Sequence, residues 1–180
     1  CSDVVIPNGG TQTFTITNRD QAAMWVVKKH VINDNGGTLE DINFTMSVTG
    51  NQPDPAFFPG SESGTIVILG AGSYSVDETE ESGYSKTLGT DCSGTIGNGE
   101  SKTCTITNDD IPGQISGMKF EDENGDGDKD AGELGLSNWT INISGPVNTS
   151  TVTDSNGNYS FTSLPAGTYT VTETDKTGWE

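Results

Sequence analysis

The sequence predicts an all-β protein built from tandem β-sandwich domains, and three observations support this prediction. Several segments alternate apolar and polar residues with the period of a β-strand, for example residues 138–144. Clusters of Gly, Asn, Asp and Ser separate these segments at the spacing that is typical of a sandwich. Only 30% of the 180 residues are hydrophobic and 24 are glycine, which indicates thin cores that depend on metals or cross-links.

Residues 1–20 repeat the sequence of residues 92–110 closely, with CSDVVIPNGGTQTFTITNRD matching CSGTIGNGESKTCTITNDD. Each copy predicts a strand, a Gly/Asn turn and a second strand, which together would form a β-hairpin. The later copy closes the domain that precedes it. We therefore expect residues 1–20 to be the closing hairpin of a preceding or neighbouring domain.

Two domains are expected after this segment, a sandwich at residues 21–112 and a second sandwich at residues 113–180. The strands of the first are predicted at residues 24–31, 44–48, 64–69 and 74–78, followed by the hairpin at residues 92–110. Those of the second are predicted at residues 138–144, 150–152, 159–161 and 168–173. The second domain contains no counterpart of the closing hairpin.

Two interpretations account for closing strands that stand apart from the domain they complete. The chain is one period of a longer tandem array, or its first hairpin completes the second domain of a neighbouring copy by donor-strand complementation. Both interpretations predict a linear, head-to-tail assembly with neighbouring copies of the chain. Truncation at arbitrary points remains the alternative.

Residues 122–133 have the oxygen spacing of a twelve-residue calcium loop, with Gly127 at the sixth position for the sharp turn. The flanking segments have strand period, so the loop ties a β-domain together. An all-oxygen ligand set suits a hard cation and not a metal that prefers thiolate or imidazole. An acidic, solvated turn is the alternative. The predicted Ca²⁺ ligands are Asp122, Asn124, Asp126, Asp128, Asp130 and Glu133.

The composition excludes several classes of function. The formal net charge is −18, with only eight Lys and Arg residues, and such a chain repels nucleic acid and anionic membrane surfaces. No apolar run has the length of a membrane span. The sequence contains no nucleophile–base pair and no phosphate-binding glycine loop, so we predict that the protein is not an enzyme.

Two sets of motifs resemble known surface-protein families. GMKFEDENGDGDKDAGELGLSNWTI with TVTDSNGNYSFTSLPAGTYTVTETDKTGW resembles the calcium-binding B repeats of Sdr-type bacterial adhesins. MWVVKKHVINDNGGTLEDINFTMSVTG with YSVDETEESGY and CTITND resembles the prealbumin-like or Cna-B-type domains. The resemblance implies Ig-like β-sandwich modules of pili, adhesins and cell-surface fibres, stiffened by calcium or by a spontaneous Lys–Asn isopeptide bond.

Strand parity allows such an isopeptide bond in the first domain. Lys29, Glu78 and Asn108 each lie on the apolar face of a predicted strand. Burying three polar groups is costly unless they meet one another. Burial favours a neutral lysine amine and a protonated carboxyl, which would let the amine attack the asparagine amide once. A buried hydrogen-bonded cluster is the alternative, and Lys28 lies on the opposite face.

The same parity places Lys119 and Glu173 on inward faces of the second domain, without an asparagine partner on a final strand. Asn18 has the matching position on the first hairpin. An intermolecular Lys119–Asn18 bond is therefore a second, bolder hypothesis.

Cysteine and asparagine residues suggest further modifications. Cys92 and Cys104 lie on the two arms of one predicted hairpin, where a disulfide would suit an oxidising exterior. Cys1 has no partner within its own hairpin, because Phe14 stands at the matching place. Five Asn-X-Ser/Thr sequences are candidates for glycosylation, at Asn43, Asn138, Asn142, Asn148 and Asn158.

These observations favour a structural subunit or repeat of an extracellular filament, pilus-like fibre, surface layer or adhesin stalk. A ligand- or carbohydrate-binding adhesin module, with glycans or a host ligand as partner, is the alternative. A spacer attached to a secreted enzyme is a third hypothesis.

Overall fold

The computed structural model describes residues 4–179, and the described chain is all-β apart from one 3₁₀ helix at Asp41–Asn43. This confirms the predicted fold class of tandem Ig-like sandwiches. No helix in the described part is long and apolar enough to cross a membrane. The strands are β1 (Ala23–Ile32), β2 (Thr45–Asp54), β3 (Phe57–Pro59), β4 (Thr65–Glu78), β5 (Tyr84–Leu88), β6 (Ser93–Ile96), β7 (Ser101–Asp110), β8 (Gly113–Met118), β9 (Thr140–Ser144), β10 (Thr149–Val152), β11 (Asn158–Leu164) and β12 (Thr170–Glu173).

Strand β4 joins the two layers of the first sandwich. Its first half pairs with β1, whereas its second half pairs with β2 and β6. One layer continues from β1 through β7 to β5, and the other contains β3, β2 and β6. The two strands predicted at residues 64–69 and 74–78 are thus one strand of 14 residues, and Gly72, with φ +145°, lies where it passes between layers.

The core of the first domain follows the predicted alternation of residues along β1. Trp25 and Val27 are buried, whereas Met24 and Lys28 are exposed. Trp25 packs edge-to-face on Tyr74 of the opposite layer, with 4.4 Å between ring centroids. Strands β1 and β7 pair in parallel over nearly their whole length, so the first and last strands of the domain are direct neighbours.

The hairpin predicted for residues 92–110 is wrong. Strand β6 pairs with β4, whereas β7 pairs with β1 and β5, and the two arms share no ladder. The turn from Gly97 to Glu100 carries the chain from one layer of the sandwich to the other. The reason is that β1 and β5 offer β7 two hydrogen-bonding edges, more than β6 alone could provide.

Residues 4–22 form no strand in this structure. They contain a turn in which the Gly10 amide donates to the Pro7 carbonyl over 2.9 Å, and the residues on both sides are exposed. The hairpin expected for residues 1–20 is therefore not formed by the described part of that segment, and its pairing with another unit stays a prediction.

The second domain is a smaller sandwich. Strand β9 lies between β10 and β12 in one layer, and β8 pairs with β11 in the other. Its buried apolar side chains are Trp139, Ile141, Ile143, Phe161 and Leu164. The domains meet where the Ala166 amide donates to the Asn35 carbonyl over 2.6 Å.

Candidate functional site

Three polar side chains from three strands meet inside the first sandwich. Lys29 lies on β1 and Asn108 on β7 of one layer, and Glu78 ends β4 in the opposite layer. The Lys29 Nζ donates to Asn108 Oδ1 over 2.7 Å and lies 3.5 Å from Glu78 Oε2. Lys29 is 0% exposed, Glu78 7% and Asn108 2%. The structure thus brings together the three residues that strand parity singled out.

The surroundings of the amine are apolar. Its Nζ lies 4.2 Å from the centroid of the Phe44 ring. Burial lowers the pKa of the Lys29 amine below its ordinary value, and the Glu78 carboxylate opposes this shift only in part. Neither carboxylate oxygen of Glu78 has a hydrogen-bond partner among the described residues.

This arrangement has the groups needed for amide exchange. A lysine amine that is not protonated is a nucleophile, and the Asn108 carboxamide lies in direct contact with it. A buried carboxyl group beside them can carry a proton between the two nitrogen atoms. The neighbouring Lys28 is exposed on the outer face of β1, so it has no access to Asn108.

The acidic loop of the second domain is folded around its own backbone amides. The carboxylate of Asp122 accepts from the amides of Gly125 and Gly127, over 2.7 and 2.9 Å. Gly127, at the sixth position, has φ +86° and open space where a side chain would stand. This left-handed conformation favours glycine, and it produces the sharp turn that the ligand spacing requires.

The ligand side chains of this loop contact one another directly. Asn124 Nδ2 donates to Asp126 Oδ2 over 3.0 Å and to Asp130 Oδ2 over 2.8 Å. Glu133 is only 8% exposed and accepts from the amide of Asp130 over 2.9 Å. Five of the six candidate ligands are therefore linked by side-chain or backbone hydrogen bonds within the loop, the sixth being Asp128, whose amide donates to Asp126.

Within residues 4–179, three carboxylates meet within 4.8 Å at Asp34, Asp109 and Asp110, and not in the calcium loop. Sequence analysis missed this cluster, although two adjacent aspartates at the end of a strand were visible. Its best-connected member, Asp110, accepts from the amides of Asn35 and Gly37 over 3.0 and 2.6 Å. The cluster therefore organises the turn at residues 33–37.

Lys119 and Glu173 of the second domain also meet. The Lys119 Nζ lies 3.0 Å from Glu173 Oε2, and these side chains are 22% and 33% exposed. Asn18, the third member of this hypothesis, is exposed in the segment before β1 and does not join them within this chain.

Two family models match the chain. A prealbumin-like fold domain matches residues 20–108, and an SdrD B-like domain matches residues 113–180. The chain is a tandem of these two families. This confirms the resemblance stated from the sequence motifs. Both are families of structural surface-protein domains and not of enzymes.

Two solved structures are similar to the chain. The Bacillus anthracis TIE protein is 19% identical, with a TM-score of 0.55 over 86% of this chain and 28% of that one. A streptococcal ancillary pilin is 16% identical, with a TM-score of 0.32 over 84% of this chain and 54% of that one. The chain thus spans about a quarter and about half of these two proteins. No curated protein matches the sequence.

A disulfide joins Cys92 and Cys104 of the prealbumin-like domain, with 4.7 Å between their Cα atoms. Since β6 and β7 lie in different layers, the bond clamps the two layers together and does not cross a hairpin. Cys1 lies outside the described residues.

The glycosylation candidates differ in their surroundings. Asn142 is half-buried on the central strand β9 of the SdrD B-like domain and donates to Thr174 Oγ1 over 3.2 Å. The other candidates are exposed and stay predictions, namely Asn43, Asn138, Asn148 and Asn158.

Proposed function

We propose that this chain is a structural module of an extracellular filament, pilus-like fibre, surface layer or adhesin stalk. The observation that carries the proposal is the buried contact of Lys29, Glu78 and Asn108, which links the first and last strands of the prealbumin-like domain. A module of this kind transmits tension, and a covalent bond at this place would bear it.

The covalent bond is an isopeptide bond formed once by the protein itself. The Lys29 Nζ attacks the Asn108 side-chain carbonyl carbon, a C–N bond forms, and the asparagine amide nitrogen leaves as ammonia. Glu78 takes a proton from the attacking nitrogen and gives one to the leaving nitrogen. The reaction consumes its own side chains, so it is maturation and not enzymatic turnover.

The bond would make the domain resistant to pulling. Strand β1 enters the domain and β7 leaves it, and the two run parallel as neighbours. Tension along the chain would pass from Lys29 directly to Asn108, so residues 30–107 would carry no load. The disulfide between Cys92 and Cys104 adds a second clamp and suits an oxidising extracellular location.

Calcium would stiffen the SdrD B-like domain. Its ligands would be Asp122, Asn124, Asp126, Asp128, Asp130 and Glu133, which are all oxygen donors on a loop that already has the required turn. Bound Ca²⁺ supplies positive charge that offsets the repulsion among the carboxylates. The loop connects β8 to β9, so a fixed loop would hold the two layers of the domain together.

Successive copies would associate head to tail. The acidic charge of −18 disfavours nucleic acid and anionic membranes as partners. The remaining partner is another copy of the same surface-protein module, which gives a linear assembly because a heterologous contact that does not close propagates.

Intact-mass measurement tests the central claim. The purified chain should be lighter than its sequence by one ammonia, in addition to the two hydrogens lost at the disulfide. Glu78→Gln and Asn108→Ala should each abolish the ammonia loss, and Lys28→Ala, the adjacent exposed lysine, should retain it. An unmodified mass in the folded wild-type chain would refute the isopeptide bond.

A further inference from the structure

The SdrD B-like domain repeats three of the four groups that surround the buried amine of the prealbumin-like domain. The amine-to-carboxylate distance is 3.0 Å in the second domain and 3.5 Å in the first. The amine-to-ring distance is 4.9 Å in the second and 4.2 Å in the first. Lys119, Glu173 and Trp139 thereby correspond to Lys29, Glu78 and Phe44.

The strand pairing supports this correspondence. Strand β8 pairs with β11 as β1 pairs with the first half of β4. Strand β12 pairs with β9 as the second half of β4 pairs with β2, and the glutamate occupies the same place in both ladders, opposite Ile141 and Met46 respectively. The two domains therefore share one strand framework around the lysine.

Two strands of that framework have no counterpart in the second domain within the described residues. In the first domain β7 covers the second edge of β1, and β6 covers the second edge of β4. In the second domain β8 pairs only with β11 and β12 only with β9. An open groove of about 290 Å³ lies between them, lined by Lys119, Tyr159, Val171 and Glu173 among others.

The chain contains a second copy of the segment that fills these places. Residues 15–18 have the same sequence as residues 105–108, Thr-Ile-Thr-Asn, so that Asn18 corresponds to Asn108. The turns also have the same geometry. The amide of Gly10 donates to the carbonyl of Pro7, as that of Glu100 donates to Gly97, over 2.9 and 3.1 Å. The glycine before the donor has φ +74° in both.

The two copies differ in burial. Ile96 is 3% exposed and Ile106 is 0% exposed inside the first sandwich. Their counterparts Ile6 and Ile16 are 63% and 89% exposed. Apolar strand residues in this state are expected to bury themselves against a sheet edge.

We propose that residues 4–18 of a second copy occupy the groove between β8 and β12. They would lie there as an arch and not as a hairpin, since β6 and β7 form an arch in the first domain. Residues 4–6 would pair with β12, and residues 13–18 would pair in parallel with β8. This inference rests on the proposed head-to-tail assembly and names its contact.

The arch would complete a second isopeptide site between copies. It brings Asn18 of one copy to Lys119 and Glu173 of the next, and it covers an amine that is now 22% exposed. The Lys119 Nζ then bonds to the Asn18 side-chain carbonyl carbon, and ammonia leaves with a proton passed by Glu173. Each copy has one donor and one acceptor, so the product is an unbranched covalent chain.

A complementation experiment with two full-length variants tests the inference. Asn18→Ala removes the donor and Lys119→Ala removes the acceptor. Each variant alone should remain monomeric on a denaturing gel. A mixture of the two should give a dimer and no larger species, because each variant retains one working end, and peptide mapping should find Lys119 joined to Asn18.

Matched controls accompany the mixture. Asn8→Ala changes an exposed asparagine of the same segment, and Lys176→Ala removes another amine that lies 4.5 Å from the Trp139 ring. Both should give the wild-type ladder of oligomers. Monomers in every lane, or a cross-link at other residues, would overturn the inference. The ammonia loss at Lys29 is measured on the same samples, so failure of the proposed function is recognised separately.

Discussion

The two domains differ in how completely the same framework is covered. In the prealbumin-like domain β7 covers the lysine, whose side chain is 0% exposed, whereas the corresponding Lys119 side chain is 22% exposed. Both lysines contact a glutamate and an aromatic ring. The comparison teaches that the covering strand, and not the local residue set, decides whether the amine loses its hydration and becomes reactive.

The domains also differ in what would hold their layers together. The first has a disulfide between layers and a candidate isopeptide bond. The second has a small core and a long acidic loop between β8 and β9. Covalent closure is favoured where all strands belong to one chain, and a metal site is favoured where strands are missing. The predictions below test this difference.

The largest effect is expected from Lys29→Ala in the first domain. The bond would close a loop between residues separated by 79 positions, and such a cross-link stabilises by about 4.5 kcal/mol in the chain-entropy model. Chemical denaturation followed through the buried Trp25 measures the loss. Lys28→Ala is the matched control and should change the free energy of unfolding by less than about 0.5 kcal/mol. Equal losses in both variants would contradict the prediction.

The disulfide should contribute less, because it closes a shorter loop. Cys92 and Cys104 are separated by 12 positions, for which the same model gives about 3 kcal/mol. Replacing both by Ser should lower the free energy of unfolding of the first domain by that amount, measured as in the preceding experiment. A larger loss than that of Lys29→Ala would reverse the ranking of the two cross-links.

Much of this difference was visible in the sequence. Alternation along each strand placed Lys29, Glu78 and Asn108 on inward faces, because strand parity is a local property. The layer to which each strand belongs was not visible, so residues 92–110 were taken for a hairpin. Pairing between β6 and β4 joins distant residues, and no local pattern encodes it. The Asp110 cluster was missed for the same reason, since its partners lie on another turn.

Calcium should stabilise the second domain and leave the first unchanged. At a free concentration 100 times the dissociation constant, binding would add about 2.7 kcal/mol. Tryptic cleavage after Lys129, which is exposed within the loop, should slow on addition of Ca²⁺ and recover with a chelator. Glu133→Gln should abolish the protection. Glu123→Gln, an acidic loop residue outside the ligand positions, should retain it, and equal protection in both variants would exclude this ligand set.

The smallest effect concerns the junction between the domains. Burial raises the pKa of the Asp110 carboxyl, but hydrogen bonds from the amides of Gly37 and Asn35 outweigh this and hold the pKa below its ordinary value. A lowered pKa stabilises the fold above the ordinary value of about 4, and the contribution is lost as the pH falls through the lowered pKa. The turn that receives the Ala166 amide should therefore loosen only in strong acid.

Amide hydrogen exchange of Ala166 near neutral pH measures this contact. Asp110→Asn weakens the hydrogen bonds that hold Asn35 and Gly37, so exchange should accelerate by about fivefold, which corresponds to the loss of about one hydrogen bond. Asp34→Asn is the control, because Asp34 is exposed beside the same turn and should leave the rate unchanged. If both variants exchange at the wild-type rate, the joint does not depend on Asp110, and the two domains are coupled by the short connection between β7 and β8 alone.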